Sequence, residues 1–389
     1  MAARRLVLIG AGMTGRGQVA QLAFEDGWDL TLVDVDRELV EVLRRTGAYT
    51  VRLLGDPTRE VRICGYQALH VDDDDALAAA VAAADLVVTS VLEPNLAAVG
   101  QVLARALEPR LAASPPRPLN VIAAENMSDS STVLRECVRH HLDAPGRAAL
   151  DRVAGFPDSM IARVVPVAAD PLYVLAEAFS EWTADRLAAI GDPPVLAGLE
   201  WVDNQAARLQ RKLFIHNAGH AVCGYLGWLR GHRLIDRAAR DPEVMAAIAA
   251  ATAEAGEAIS REHGFDRGQI RAYEENLRAR LVVDALPDDI RRVIRQPVRK
   301  LGVDERLLGP LRLCERHGLP SATLCRGIAA VLACRMPGDE QFERLAAAVD
   351  AAGPVAALTG LVGYHPSPAA AAAIEQAWAE LRRPGLDHR

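Results

Sequence analysis

Lysine is almost absent from this chain: of its 44 basic residues only Lys212 and Lys300 are lysine, and the rest are arginine. Where a position needs only a solvated positive charge, arginine serves, so a retained lysine points to a task that a permanently charged guanidinium cannot perform. Giving up and taking back a proton is such a task. Lys212 stands in RKLFIHNAGH, residues 211–220, together with Asn217 and His220. At about 100° per residue, a helix sets Asn217 about 140° and His220 about 80° away from Lys212, all on one side, over roughly 12 Å of axis. His216 shares that arc and competes for the same role. In alcohol oxidation a base removes the hydroxyl proton while hydride leaves carbon, and a lysine in a partly desolvated cleft can have its pKa lowered toward neutrality. Amides aimed at the same oxygen stabilise the developing alkoxide without adding net charge. Asn126 and Asn217 are the candidates among only six asparagines. Spacing alone also allows a turn residue at Asn126, a helix-surface amide at Asn217 and a core or surface histidine at His220.

A second constellation lies at the start of the chain. Gly10, Ala11, Gly12, Met13, Thr14 and Gly15 form G-x-G-x-x-G directly after the apolar run LVLIG. The first glycine permits a tight turn, the second lets the backbone approach a pyrophosphate, and the third lets helix and strand pack closely, with phosphates at the positive helix end. Asp34 follows 24 residues after Gly10, at the end of the next apolar run. An acid there can accept hydrogen bonds from both ribose hydroxyls and repel a 2′-phosphate, which favours NAD over NADP. FAD binding and a non-catalytic nucleotide-binding regulator are the other readings of this motif. Asp34 also suits a solvated strand-end acid, and Asp36 is placed to cap a helix beginning near Arg37.

The elements that must position these residues change character along the chain. Strand patterns at Leu30–Val33, at ADLVVTSV ending on Val91 and at Leu119–Ala123 alternate with helical stretches, as a parallel sheet requires. Glu125 and Asn126 then fall at a strand's carboxyl end, where ligands of open parallel sheets bind. Leu172–Trp182 has mixed periodicity and no secure assignment. From about Leu199 helical patterns dominate, at Leu199–Leu229, Val244–Glu262, Glu305–His317, Ser321–Cys334, Glu340–Ala352 and Ser367–Arg382. The expectation is an α/β chain: a Rossmann-type doubly wound sheet over 1–198, then a mainly α-helical substrate and catalytic domain over 199–389, with a cleft between them.

Composition narrows the function classes. The 389 residues are half hydrophobic, so the chain can bury large cores and should fold. The formal charge is −7 with dispersed arginines, which argues against nucleic acid and other polyanions. No apolar run reaches the length of a membrane span or signal-peptide core, so a cytoplasmic protein is expected, with no membrane partner. The six cysteines lack paired metal-site spacing and read as free, mostly buried thiols. His216 and His220, four apart, are the one helical metal-face pair, and with no HExxH around them no metal is expected.

Taken together, the words GAGMTGRG, LNVIAAENM, GFPDSM, DPLYVLAEAFSEW, RKLFIHNAGHA, YLG and RQPVRKL resemble, in that order, the polyol-specific long-chain dehydrogenase family. FSEW, RKLF and RQPVRKL are most similar to its mannitol-1-phosphate 5-dehydrogenase branch. The resemblance implies that Lys212 is the general base, that Asn126 and Asn217 form the oxyanion hole, and that His220 contacts substrate. It implies an NAD-dependent hydride transfer on a small polyol or sugar phosphate; a monomer or small homo-oligomer is expected, the sequence itself not fixing which. It also places Arg295, Arg299 and Lys300 near substrate, where three cations suit a phosphate; a surface cluster or helix-terminus charges suit them equally. Two departures stand out. Ala162 replaces an aspartate that contacts substrate in relatives, and Gln210 stands where mannitol-phosphate relatives often carry glutamate. Asp158 or Glu125 is placed to compensate, which leaves a different polyol, uronate or specialised-metabolite sugar open.

Overall fold

The computed structural model describes residues 3–55, 57–283 and 288–382. The chain divides into two compact units, Met1–Arg208 and Leu209–Arg389.

Among the described residues of the first unit twelve strands form three sheets: β1 (Arg5–Ile9), β2 (Asp29–Asp34), β3 (Ala48–Leu54), β4 (Arg59–Cys64), β5 (Gln67–His70), β6 (Leu86–Thr89), β7 (Leu119–Ala123), β8 (Ala154–Gly155), β9 (Ser159–Ala162), β10 (Tyr173–Glu177), β11 (Glu181–Asp185) and β12 (Glu200–Val202). The main sheet runs β5-β2-β1-β6-β7-β8, every neighbour parallel. In chain order its six strands stand 3-2-1-4-5-6, the doubly wound order, with the reversal between β1 and β6. Such a sheet is covered on both faces, which is why β6 and β7 carry no exposed residue and are apolar apart from the buried Thr89 and Asn120. One face packs Leu6, Leu8, Leu32 and Val88 against Val19, Ala20 and Trp182. The other packs Val7, Ile9, Val87 and Val121 against Leu77, Leu103 and Leu134. Arg110 is buried among these elements and donates to the carbonyls of Val81, Ala82, Ala84, Arg117 and Pro118. Desolvation lowers its pKa to about 10, so its charge survives at neutral pH.

The second unit is mainly helical around the long buried helix Ala218–Leu229, which carries almost no polar face. Helix Pro242–His263 lies close against it, because a Cβ on Gly219 would come within 2.9 Å of Thr252. Helices Leu308–His317, Ala322–Ala333, Glu340–Ala352 and Pro368–Leu381 fall within a residue or so of their expected bounds, apart from the later start of the first. Among the described residues no helix is long and apolar enough to cross a membrane. Of the six thiols, Cys223, Cys314, Cys325 and Cys334 are buried, Cys137 is partly so and Cys64 is exposed.

Three features depart from the sequence reading. Leu172–Trp182 contributes two strands, β10 and β11, whose apolar and polar residues alternate too briefly to carry a period. The segment after Leu199 does not begin as a helix: β12 pairs in parallel with β11, and the helix starts at Gln205. The helices bearing both motifs are also locally wide. Gly15–Ala20 and Lys212–Asn217 are π-helical segments inside otherwise α-helical stretches.

Candidate active site

The glycine turn sits at the carboxyl end of β1, beside the strand reversal. Gly10 has φ +95°, and a Cβ on it would lie 2.2 Å from the Ser90 carbonyl oxygen, so only glycine fits there. Its N–H and that of Ala11 both donate to Val33 O, at 2.8 and 3.2 Å, tying the turn to β2. A Cβ on Gly15 would lie 2.3 Å from Gly10 O, which is the close helix–strand approach expected of the third glycine. A Cβ on Gly12 would meet nothing within 4 Å, so the space on that side of the turn is open to a ligand. Met13 and Thr14 are the next two residues of the turn. These observations fit a dinucleotide: a cradle that excludes side chains where packing demands it and leaves the central glycine uncovered. Gly12→Ala is therefore expected to keep the melting temperature of the ligand-free protein while weakening NADH binding, whereas Gly15→Ala lowers the melting temperature itself. A thermal melt beside an NADH titration checks both.

Arg16, within the same motif, is turned inward rather than toward a ligand. Its guanidinium donates to Ala11 O at 2.6 Å and to Pro171 O, and lies 5.2 Å from the Tyr49 ring centre. Arg163 donates to Gly17 O at 2.8 Å and Gln21 Oε1 at 2.6 Å. Neither brace shows in spacing, since each arginine also reaches a partner more than a hundred residues away, Pro171 for Arg16 and Gly17 with Gln21 for Arg163. Asp34, half-buried at the end of β2, accepts from Asp36 N at 2.9 Å through Oδ1. Asp36 caps the helix Arg37–Thr46 through Glu38 N and Leu39 N, as its position implied.

At the carboxyl end of β7 Glu125 is buried and Asn126 exposed. Glu125 accepts from Val91 N at 2.7 Å and Leu92 N at 2.9 Å, holding the loop after β6, where Leu92 has φ +71°. Burial raises the Glu125 pKa against the pull of these two bonds. Asp158 accepts from Ser131 N, Thr132 N and Thr132 Oγ1 at 2.7 to 3.0 Å, at the start of the helix Ser130–His140. Both carboxylates are thus held in place by N–H groups of neighbouring loops and helix starts. Ala162 is buried in β9 opposite Glu181 of β11.

In the second unit the π-helical turn resets the geometry around Lys212. An i→i+5 turn returns the fifth residue to the face of the first, the relation that i and i+4 hold in an α-helix. Lys212 and Asn217 are thereby drawn onto one face instead of standing about 140° apart. Lys212, His216, Asn217 and His220 are all partly buried. The His216 and His220 rings lie 6.3 Å apart. Arg280 Nη1 is 3.4 Å from His216 Nδ1, and since a guanidinium can only donate, this imidazole nitrogen is the acceptor. Burial, aided by the charges of Arg280, His220, Lys212 and Arg306, pushes the His216 pKa well below its ordinary range. His220 Nε2 is 3.1 Å from Asp288 Oδ2, and Arg292 grips the other carboxylate oxygen of Asp288. Burial raises the pKa of Asp288, but the hydrogen bond and charge of His220, with Arg292, outweigh it and hold the carboxyl below the usual range. Asp288, Arg280 and Arg306 escaped the sequence reading, because nothing local marks an ion-pair partner contributed by another helix or loop. Gln210 accepts from His263 Nε2 at 2.8 Å. Among the described residues no three His, Cys, Asp or Glu side chains gather into a metal site.

The three cations of RQPVRKL do not act alike. Arg295 and Arg299 are exposed, and Arg299 donates to Gln296 Oε1 at 3.0 Å and Glu305 Oε1 at 3.2 Å. Lys300 is buried and donates to Val293 O. Desolvation, with Arg306, Arg299 and Arg295 nearby, lowers its pKa from 10.5 to about 7. The unfolded chain then holds a proton between about pH 7 and 10.5 that the folded chain gives up, so this group makes stability rise with pH through that window. Lys300→Met removes the component: its melting temperature is expected to gain most on the parent below about pH 7, with the difference shrinking toward pH 10. A difference that does not change with pH would contradict this.

Fold and site define a class: a dinucleotide-type Rossmann unit followed by a mainly helical unit that carries a lysine–asparagine turn. The sequence profile of the mannitol dehydrogenase Rossmann domain matches residues 4–198, and that of the mannitol dehydrogenase C-terminal domain matches residues 207–386. The chain belongs to the mannitol dehydrogenase family of polyol oxidoreductases. Among solved structures, a D-sorbitol dehydrogenase in substrate-free form superposes with a TM-score of 0.81 at 16% identity, covering 98% of this chain and 93% of its own. The mannitol 2-dehydrogenase of Pseudomonas fluorescens, in a ternary complex with NAD and D-mannitol, gives 0.73 at 19% identity, covering 99% and 93%. At such identities the likeness establishes a shared fold.

Proposed function

We propose that the protein is an NAD-dependent dehydrogenase that interconverts mannitol 1-phosphate and fructose 6-phosphate. The observation that carries this reading is the wide turn that brings Lys212 and Asn217 onto one face, inside a chain of the mannitol dehydrogenase family. NAD is supported by the open space at Gly12 and by Asp34 at the β2 end, and it is the dinucleotide present in the similar mannitol 2-dehydrogenase. When bound, the dinucleotide supplies the hydride acceptor. Lys212 Nζ takes the hydroxyl proton as the alcohol is oxidised. His216 is unsuited to that work, because its depressed pKa leaves it unable to hold a proton near neutrality. The amide of Asn217 donates to the oxygen as negative charge develops on it, and Asn126 is the second amide that the family resemblance assigns to that task. His220, anchored through Nε2 by Asp288, has Nδ1 left to contact a substrate hydroxyl. Arg295 and Arg299 are the charges proposed for the phosphate; Lys300, largely withdrawn from solvent, adds little. The direct test is NADH oxidation in the presence of fructose 6-phosphate, with fructose as the unphosphorylated control.

A second reading keeps the chemistry and changes the substrate to another polyol, a uronate or a specialised-metabolite sugar. Ala162 in place of an aspartate favours it, since a buried methyl group offers no acceptor to substrate. A panel of ketoses, uronates and their phosphates with NADH separates the two. Activity on fructose 6-phosphate well above the panel supports the first; silence there with turnover elsewhere supports the second.

A further inference from the structure

His70 ends β5, in register with Asp34 of β2, and is buried although it belongs to no motif. Its two ring nitrogens meet different partners. Nδ1 lies 3.1 Å from Asp72 N, a backbone donor, so Nδ1 must accept. The proton therefore sits on Nε2, which lies 2.9 Å from the carbonyl oxygen of Val35. Val35 immediately follows Asp34, and its side chain is 73% exposed, so packing does not hold this residue in place. Polar contacts hold it instead. Val71 N donates to Asp34 O at 3.1 Å, Asp36 N donates to Asp34 Oδ1 at 2.9 Å, and His70 closes the set at the carbonyl between them. His70 is itself fixed by a bond from its own N–H to Asp73 Oδ2 at 2.8 Å.

We propose that His70 is a positioning residue for the dinucleotide: through Val35 O it sets the turn that presents the Asp34 carboxylate to the ribose hydroxyls. The proposal rests on the reading of Asp34 as the ribose acid. A phenylalanine at position 70 keeps the ring volume and removes both side-chain bonds, freeing the turn to wander. A glutamine keeps an amide donor near the place of Nε2. An asparagine is too short to reach Val35 and serves only the Asp72 end.

The experiment measures NADH affinity by quenching of protein fluorescence, KM for NAD, kcat and the melting temperature of the ligand-free protein. His70→Phe is expected to weaken NADH binding about tenfold, the scale of one net hydrogen bond, and to raise KM for NAD while kcat stays within about twofold. His70→Gln is expected to return affinity to near the parent value. A purely structural role would lower the melting temperature of His70→Phe and leave NADH affinity unchanged, and that result overturns the proposal. Should His70→Phe fail to fold, His70→Gln is compared with His70→Asn, and equal NADH affinity in that pair overturns it. Asp34→Asn separates the two layers of inference. If Asp34→Asn weakens NADH and His70→Phe does not, His70 alone is wrong; if Asp34→Asn binds NADH like the parent, the ribose reading falls and this one with it.

Discussion

Lys212→Ala is expected to lower kcat by about 10²–10⁴-fold, the usual worth of a positioned general base, while NADH affinity stays at the parent value. The amine is the proton acceptor, and no nearby group replaces it. His216, the neighbour on the same arc, has its pKa pushed far down by burial and by surrounding cations, and its Nδ1 already accepts from Arg280. Affinity for the dinucleotide survives because the glycine cradle and Asp34 are untouched. Lys212→Arg is the sharper companion. It preserves charge and much of the side chain's length, yet a guanidinium does not release its proton at ordinary pH, so its kcat should fall nearly as far. Stopped-flow measurement of a single turnover, with NADH binding followed separately, checks both variants. Retained turnover in Lys212→Ala removes the base assigned here and the mechanism with it.

The second large effect belongs to Asn217. Its replacement by alanine is expected to cost about 10²–10³-fold in kcat, the scale seen when one donor to a developing oxyanion is removed, with a much smaller change in KM. Alanine suits a helix interior, so the fold should tolerate the change. Asn217→Asp tests the electrostatics: a carboxylate beside a forming alkoxide repels it, and the loss should exceed that of alanine. The two single effects should also fail to add. Lys212 and Asn217 act on one oxygen, so the double variant is expected to lose less than the product of the singles. A full product would mean that they serve different atoms.

These predictions depend on features that were legible to different degrees. G-x-G-x-x-G with a strand before it and an acid at the next strand end was readable because each glycine answers a local demand: a φ of +95° at Gly10 and a 2.3 Å approach at Gly15. The doubly wound order followed from alternating strands and helices. The strands β10 to β12, three to five residues each, were not readable, since they carry too few alternating residues to separate from loops; the hairpin β3–β4 is long enough and lay outside the sequence reading. Asp288 illustrates the limit on the site side. Its hold on His220 spans most of seventy residues of chain, and an isolated aspartate in a sequence has no visible addressee. Arg16 shows the reverse hazard: a cation inside a phosphate-binding motif invites a ligand role, yet burial and two backbone carbonyls turn it inward.

What residue order determined by itself was whatever local stereochemistry dictates: the glycine turn, the apolar strands of the parallel sheet, the amphipathic and alanine-rich helices, and the one lysine set among polar residues at helical spacing. Tertiary packing decided the rest. It widened the helix at Lys212–Asn217, buried Lys300 and lowered its pKa to about 7, gave the carboxylates of Glu125 and Asp158 to backbone donors, and set His70 against Val35. The physical reason is common to all four. Helical pitch, desolvation and hydrogen-bond choice depend on which distant groups arrive alongside, and that becomes defined only when the cores close.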